Sequence, residues 1–514
     1  MDELKEARAE LARLESRAKE LLVEFMDVRA AISRQRTNIS ELVRRRPPAI
    51  RCLPAEILSS ILKLDIEMDP DPNRKQRLAG VSRRWRDMVL NSPTLWVHIN
   101  LFGYDVSLIR THLRRSVTAL LDIVMNIDPC WPENNYDPLL SRLAMVMPHA
   151  HRWKSLSVID PREESDITLY ELVSNAMNHL KFPSLKYVYI PIVGDMPYPS
   201  FLSQTHAPVL EHLDFRDYHP ATDFLPAPTL KTLKLSLFYD TDTAPCASFP
   251  SLIPTYALTT LTLEGRMTDW SLRSNSIQFP ALTVLTLQIS DTNRFLAAIV
   301  APNLERINYY AWKDPNPPSI VFDGVRFDSV RCLRLAFGSA HPDRDLGAVH
   351  LCEAFPSVYH VELNSRDLIN LFAARSANSG STQDWYPIDL WTDLRSLTLG
   401  SYHTKKWILV FDYLLRWLSQ RRTSGLPILH VKIPSSFDLF GHPRDMVEDI
   451  LRLHESLKGK CILEFNVPIE GKLLNPVGAD SSLWLVSACT ARVSRIDEFY
   501  GVFILAFTRI TLGQ

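Results

Sequence analysis

The stretch Phe279-Pro-Ala-Leu-Thr-Val-Leu-Thr-Leu287 decides how this chain folds, because it recurs. Close versions are Phe182-Pro-Ser-Leu-Lys-Tyr-Val-Tyr-Ile190, Ala207-Pro-Val-Leu-Glu-His-Leu-Asp-Phe215 and Ala227-Pro-Thr-Leu-Lys-Thr-Leu-Lys-Leu235. Ala301-Pro-Asn-Leu-Glu-Arg-Ile-Asn-Tyr309 and Phe355-Pro-Ser-Val-Tyr-His-Val-Glu-Leu363 continue the series. The segments 258–263, 330–335 and 394–399 keep the pattern without proline, and 151–158 and 428–433 are candidate outer members. Successive copies start at intervals of about 20–36 residues, a spacing that belongs to repeat architectures. Each copy reads L-x-x-L-x-L, and its last four positions alternate polar and apolar, as a strand with one buried face requires. Proline ends whatever precedes it and pushes the chain toward extended geometry.

These phrases resemble the leucine-rich repeat. The resemblance implies about ten parallel strands stacked into an irregular, curved solenoid over residues 101–514. The chain departs from the family at the Asn or Cys expected just past each strand, which most copies lack. The segments between strands are also uneven: 169–180 and 293–300 read as helices, others as loops. An open sheet of βαβ units is the competing arrangement. In a solenoid, the polar positions within each strand would line one concave face. Among them Arg306, Arg334, His360 and Glu362 are the first candidates for holding a target protein, against the plainer reading of a solvated sheet face.

Upstream, residues 1–46 carry apolar side chains at alternating spacings of three and four, from Leu4 to Leu42, with Gln35 the polar break. That is a heptad stripe held for about six heptads. A continuous helix of this length would run roughly 65–70 Å, and its seam needs a partner. Self-association as a coiled-coil homodimer through residues 1–46 is one reading; folding back on the rest of the chain is the other.

Pro47-Pro48 stops this helix. Residues 47–100 then read as a small all-α module. Leu53-Pro54-Ala55-Glu56-Ile57-Leu58 opens a helix whose apolar face continues to Ile61 and Leu62. A loop with Asp69-Pro70-Asp71-Pro72 follows, then Val81-Ser82-Arg83-Arg84-Trp85-Arg86 and Ser92-Pro93-Thr94-Leu95-Trp96. The order Leu-Pro, Glu, Ile-Leu, Ile, Val, Trp, Leu-Trp resembles the F-box, particularly its fungal form. Ser82 departs from the family, which often has Cys there, and the Asp/Pro loop is longer than in its shortest members. The resemblance implies binding to the Skp-type adaptor of a cullin–RING ubiquitin ligase. It assigns contacts to Leu53, Pro54, Ile57, Leu58, Ile61, Val81, Trp85, Leu95 and Trp96, with Trp85 divided between that interface and the module's own core. A helical cap on the following domain, with all these residues internal, is the alternative. The expected fold class is therefore α/β: a long helix or coiled coil, an F-box-like module, and a leucine-rich-repeat-like solenoid with parallel strands.

The remaining signals are exclusions. Only 16 of 514 residues are Gly, about 3% against an average near 7%, leaving little material for phosphate-cradling loops. No P-loop, G-x-G-x-x-G, G-x-S-x-G or H-E-x-x-H occurs, and His454-Glu455 lacks the second His. Asp69-x-Asp71 and Asp240-x-Asp242 read as turns. No catalytic residue, metal or cofactor is expected, and the chain is not expected to be an enzyme. Lys+Arg 57 against Asp+Glu 58 argues against a nucleic-acid partner. Seven Cys without a C-x-x-C pair, a charged start and no span-length apolar run point to a protein of the cytoplasm or nucleus with no membrane role. The apolar run 499–507 reads as a buried strand. The identity of the target is not legible.

Overall fold

Each recurrent phrase folds as a turn followed by a strand. The computed structural model describes residues 2–45, 53–68, 71, 73–126, 136–159, 167–194, 198–218, 227–237, 253–265, 272–290, 292–310, 326–336, 348–363, 369–372, 385–399, 407–433, 457 and 460–465. The pair Asp240-x-Asp242, His454-Glu455 and the run 499–507 lie outside them.

The proline of the phrase occupies the second position of a tight turn. Leu185 N–H donates to the Phe182 carbonyl at 3.2 Å, Leu230 to Ala227 at 3.1 Å, and Leu304 to Ala301 at 3.2 Å. Pro sets the φ that this turn position needs, and the residue before it is driven inward: Phe182, Ala207, Ala227 and Phe279 are fully buried. The chain then enters the strand, whose apolar positions point to the same side as the turn's Phe or Ala.

The strands are β1 (His98–Asn100), β2 (Leu121–Asn126), β3 (Trp153–Ile159), β4 (Tyr187–Gly194), β5 (His212–Tyr218), β6 (Thr232–Leu237), β7 (Thr260–Gly265), β8 (Ile277–Gln278), β9 (Val284–Ile289), β10 (Ile299–Val300), β11 (Arg306–Tyr310), β12 (Cys332–Ala336), β13 (His360–Leu363), β14 (Ser396–Leu399), β15 (His430–Ile433) and β16 (Ile462–Phe465). Fourteen of them make one sheet. Its order follows the chain, every neighbouring pair is parallel, and the order never reverses; β8 and β10 form a separate parallel pair. The fold is mixed α/β, with a long N-terminal helix and a parallel sheet. The sheet is larger than the ten or so repeats suggest, and β1 begins before residue 101.

Register explains why the phrase must repeat. Leu213, Leu233, Leu261, Leu285 and Ile307 pair in sequence across β5, β6, β7, β9 and β11, and all are buried. Phe215, Leu235, Leu263, Leu287 and Tyr309 form a second buried row. Each Leu removed from water contributes about 1.5–3 kcal/mol, and no strand can do so without its neighbour. At the strand entries, two consecutive N–H groups share one carbonyl of the preceding strand: Lys231 and Thr232 donate to Glu211, Thr283 and Val284 to Thr259, and Tyr359 and His360 to Arg331, at 2.8–3.1 Å. This backbone ladder keeps the strand entries in register from β5 to β14, while the β2–β3 and β4–β5 pairs each carry one register shift.

Helix α1 (Asp2–Arg45) is uninterrupted, with ion pairs Arg13–Glu10 at 3.1 Å and Arg17–Glu20 at 2.9 Å on its surface. Every residue from 4 to 42 is exposed, so the fold-back reading finds no support among the described residues. Helices α2 (Ala55–Met68), α3 (Arg74–Val81) and α4 (Arg83–Asn91), with a 3-10 turn at Pro93–Leu95, form a small unit around Leu58, Leu62, Leu78, Val89, Leu95 and Trp96. Ser82 is the N-cap of α4, its hydroxyl accepting the Trp85 N–H at 3.2 Å. A hydroxyl serves that position well, which gives the departure from the F-box pattern a local reason. Helices α5 (Val106–Arg115), α6 (Asp137–Val146) and α7 (Ile167–Met177) link the first strands, and later links include helices at Thr292–Ala298 and Trp407–Thr423.

Candidate interaction surfaces

Helix α2 has two apolar stripes. Leu58 and Leu62 are fully buried in the module's core, with Ile66 packed against it. On the other side Ile57, Leu64 and Met68 are 49%, 61% and 52% exposed, and Ile61 is half-buried between them. The second stripe follows i, i+4, i+7, i+11, a continuous helical face. A short amphipathic helix needs only the first stripe to fold; the second leaves apolar surface in water and suits a protein partner.

The nine residues assigned by resemblance to adaptor contact thus divide. Pro54, Ile57 and Val81 are exposed, Val81 at 62%. Leu53, Ile61 and Trp85 are half-buried, and the Arg84 guanidinium bonds the Leu53 carbonyl. Leu58, Leu95 and Trp96 are interior, at 0%, 3% and 6% exposure, and hold the module together. Leu64 and Met68 lie outside the family pattern, although continuing the spacing from Ile57 and Ile61 reaches both. Asp71 bonds the Asn73 N–H at 2.8 Å and pairs with Arg77 at 2.6 Å, the work of a turn residue.

Beneath the module lies a buried polar joint. Lys75, on α3, sits with its ammonium 5.4 Å from the Trp96 ring centre and 5.8 Å from that of Tyr104, and its Nζ is 3.1 Å from His112 Nε2. Burial pushes the Lys75 pKa down to about 8 and the Tyr104 phenol up to about 12. Burial and the neighbouring Lys75 charge push His112 down to about 3. An ammonium has no acceptor, so Lys75 donates and the neutral imidazole accepts at Nε2. Arg115 adds a second cation 5.1 Å from the Trp96 ring and bonds the Leu90 carbonyl at 3.0 Å. Trp96 Nε1 in turn donates to the Val89 carbonyl at 2.7 Å. These contacts tie the helical module to α5 and the start of the sheet.

The outer face of the sheet gathers the four candidate target contacts on three adjacent strands. Arg306, Cys332 and His360 are in register across β11, β12 and β13, and Asn308, Arg334 and Glu362 lie alongside. Arg334 and Glu362 neutralise each other: Nε to Oε1 is 3.2 Å, and the guanidinium lies 5.6 Å from the Tyr310 ring centre. Arg306 is exposed. Near it the exposed Tyr359 hydroxyl stands 3.9 Å from Cys332 Sγ, and this contact raises its pKa. On β4 and β5, Tyr187 and His212 stack at 4.4 Å, and Glu211 bridges Lys186 at 2.9 Å and Lys231 at 3.2 Å. Among the described residues the face is polar and partly self-paired, with aromatic side chains on β4 and around β11–β13.

Among the described residues no three His, Cys, Asp or Glu side chains converge as metal ligands would. Among them, too, no helix is long and apolar enough to cross a membrane. No protein-family model matches the chain, and no curated protein matches it either.

Proposed function

We propose that this chain is a substrate-recognition adaptor of a cullin–RING ubiquitin ligase. The F-box-like module, residues 47–100, binds the Skp-type adaptor through the outer stripe of α2. The sheet region, from β1 at His98 onward, is an irregular leucine-rich-repeat solenoid whose polar face holds a target protein. The chain performs no chemistry of its own; it contributes proximity and orientation, converting an encounter between target and ubiquitin-charged enzyme into a near-intramolecular one. Its place of work is the cytoplasm or the nucleus.

The observation that carries this reading is the second stripe of α2. Ile57, Leu64 and Met68 are exposed and Ile61 is half-buried, none belongs to the module's buried core, and together they form a continuous apolar surface beside Pro54. Co-purification with a Skp-type adaptor tests it. Wild type is expected to retain the adaptor, and Ile57→Asp/Leu64→Asp to lose it while keeping the wild-type melting temperature. Equal or absent recovery from both would remove the ligase role.

A second reading, a scaffold protein outside any ligase with the helical module as the sheet's cap, draws on the joint at Lys75 and on the interior positions of Leu58, Leu95 and Trp96. It expects no adaptor in the same experiment.

A further inference from the structure

We propose that α1 pairs with α1 of a second copy of this chain, parallel and in register, which brings two F-box-like modules to the same end of one coiled coil. The inference stands independently of the ligase reading.

Leu11, Leu14, Leu21, Phe25, Val28 and Ile32 fall at alternating a and d positions of one heptad frame, each 50–61% exposed, and no described element covers them. A stripe held at a and d over this length is the geometry of a helix pair, and Leu22, Val23 and Met26 add apolar surface beside it in mid-helix.

The orientation follows from the one polar member of the seam and from its flanks. Gln35 occupies a d position. In a parallel, in-register pair it meets Gln35 of the second copy, and the two amides donate to and accept from each other. In an antiparallel pair with matched ends, residue 4 lies opposite 42 and Gln35 opposite Leu11, so two amides are buried without partners. The flanks agree. Glu24 at g and Arg29 at the next e form an attractive pair between parallel copies, whereas the antiparallel arrangement brings the two Glu24 side chains together at the midpoint. The parallel arrangement also sets Glu10 near Glu15 of the second copy, but Glu10 already carries Arg13 at 3.1 Å.

The experiment uses the full chain. Light scattering should give twice the monomer mass. Leu14→Cys should cross-link to itself under mild oxidation beyond the background of wild type. A mixture of copies carrying Leu14→Cys with copies carrying Ile32→Cys should give no excess of mixed disulfide. Glu24→Arg should weaken association roughly tenfold, by turning an attraction on each flank into a repulsion, and Glu24→Arg/Arg29→Glu should restore it. A monomeric mass overturns the proposal, and so does a mixed disulfide in place of the self-disulfide. Adaptor recovery by Leu14→Cys stays at the wild-type level, so failure here is separable from failure of the ligase reading.

Discussion

Neighbouring residues on α2 should behave oppositely when truncated. Leu58 is fully enclosed, so Leu58→Ala removes its transfer free energy and leaves a cavity, costing about 2–5 kcal/mol of folding stability. Ile57 is 49% exposed, and Leu64 61%. Truncating either should change stability by less than about 1 kcal/mol, because much of the deleted surface already faces water. Binding reverses the order. Burying the exposed half of each side chain against a partner contributes about 1 kcal/mol, half of the roughly 1.5–3 kcal/mol of full burial. Ile57→Ala/Leu64→Ala should therefore weaken the adaptor by about 2 kcal/mol, roughly 30-fold in Kd. Calorimetric titration of a Skp-type adaptor into the full chain reads the affinity, and a thermal melt of the same samples reads the stability. A double variant that stays folded and binds within about twofold of wild type refutes the assignment of this face.

The buried joint and the sheet face give three more. His112, held down to about 3, contributes stability that is fully present above about pH 6.5 and is lost as pH falls toward 3; between pH 7 and 4 the loss is of order 3 kcal/mol. Urea midpoints at the two pH values should differ less for His112→Phe than for wild type, and equal differences would mean that the imidazole is not held neutral. Lys75, held down to about 8, has the opposite consequence: its desolvation penalty is fully present below about pH 8 and is relieved as pH rises toward 10.5. Lys75→Met should melt at or above the wild-type temperature at pH 7, and a drop of more than a few degrees would show that the contacts to Trp96, Tyr104 and His112 outweigh desolvation. On the sheet, a double-mutant cycle of Arg334→Ala and Glu362→Ala should give a coupling of about 1 kcal/mol, measured by urea unfolding, and zero coupling would mean that the pair is only geometric.

The parallel sheet was legible because its strands share one short phrase whose alternation is enforced by a common core. The strands without that phrase were not. Leu121, Ile123 and Met125 of β2 alternate perfectly into the core, yet the strand lacks the turn-forming proline and follows a helix instead. β1 has only three residues and gains its place by pairing with β2, a long-range fact that no local pattern carries. The outer stripe of α2 was half legible, since the F-box pattern covers Ile57 and Ile61 and stops short of Leu64 and Met68. Lys75 was invisible. It stands in the run Arg74-Lys75-Gln76-Arg77, which reads as a solvated charged face, and its partners come from three later elements.

That joint bears on how the proposed adaptor would work. A buried cation is weak evidence for stability, because desolvation offsets most of what its contacts return. What Lys75 does supply is direction. Its ammonium meets two rings and one imidazole nitrogen at once, and so many directional contacts constrain how α3 sits over α5. Proximity catalysis depends on holding two bound partners at a fixed separation and angle, so a polar joint that fixes orientation at little net stability fits the task better than a larger apolar one. The continuous core of the sheet carries order onward from strand to strand, so Arg306, Cys332 and His360 keep one register across β11, β12 and β13.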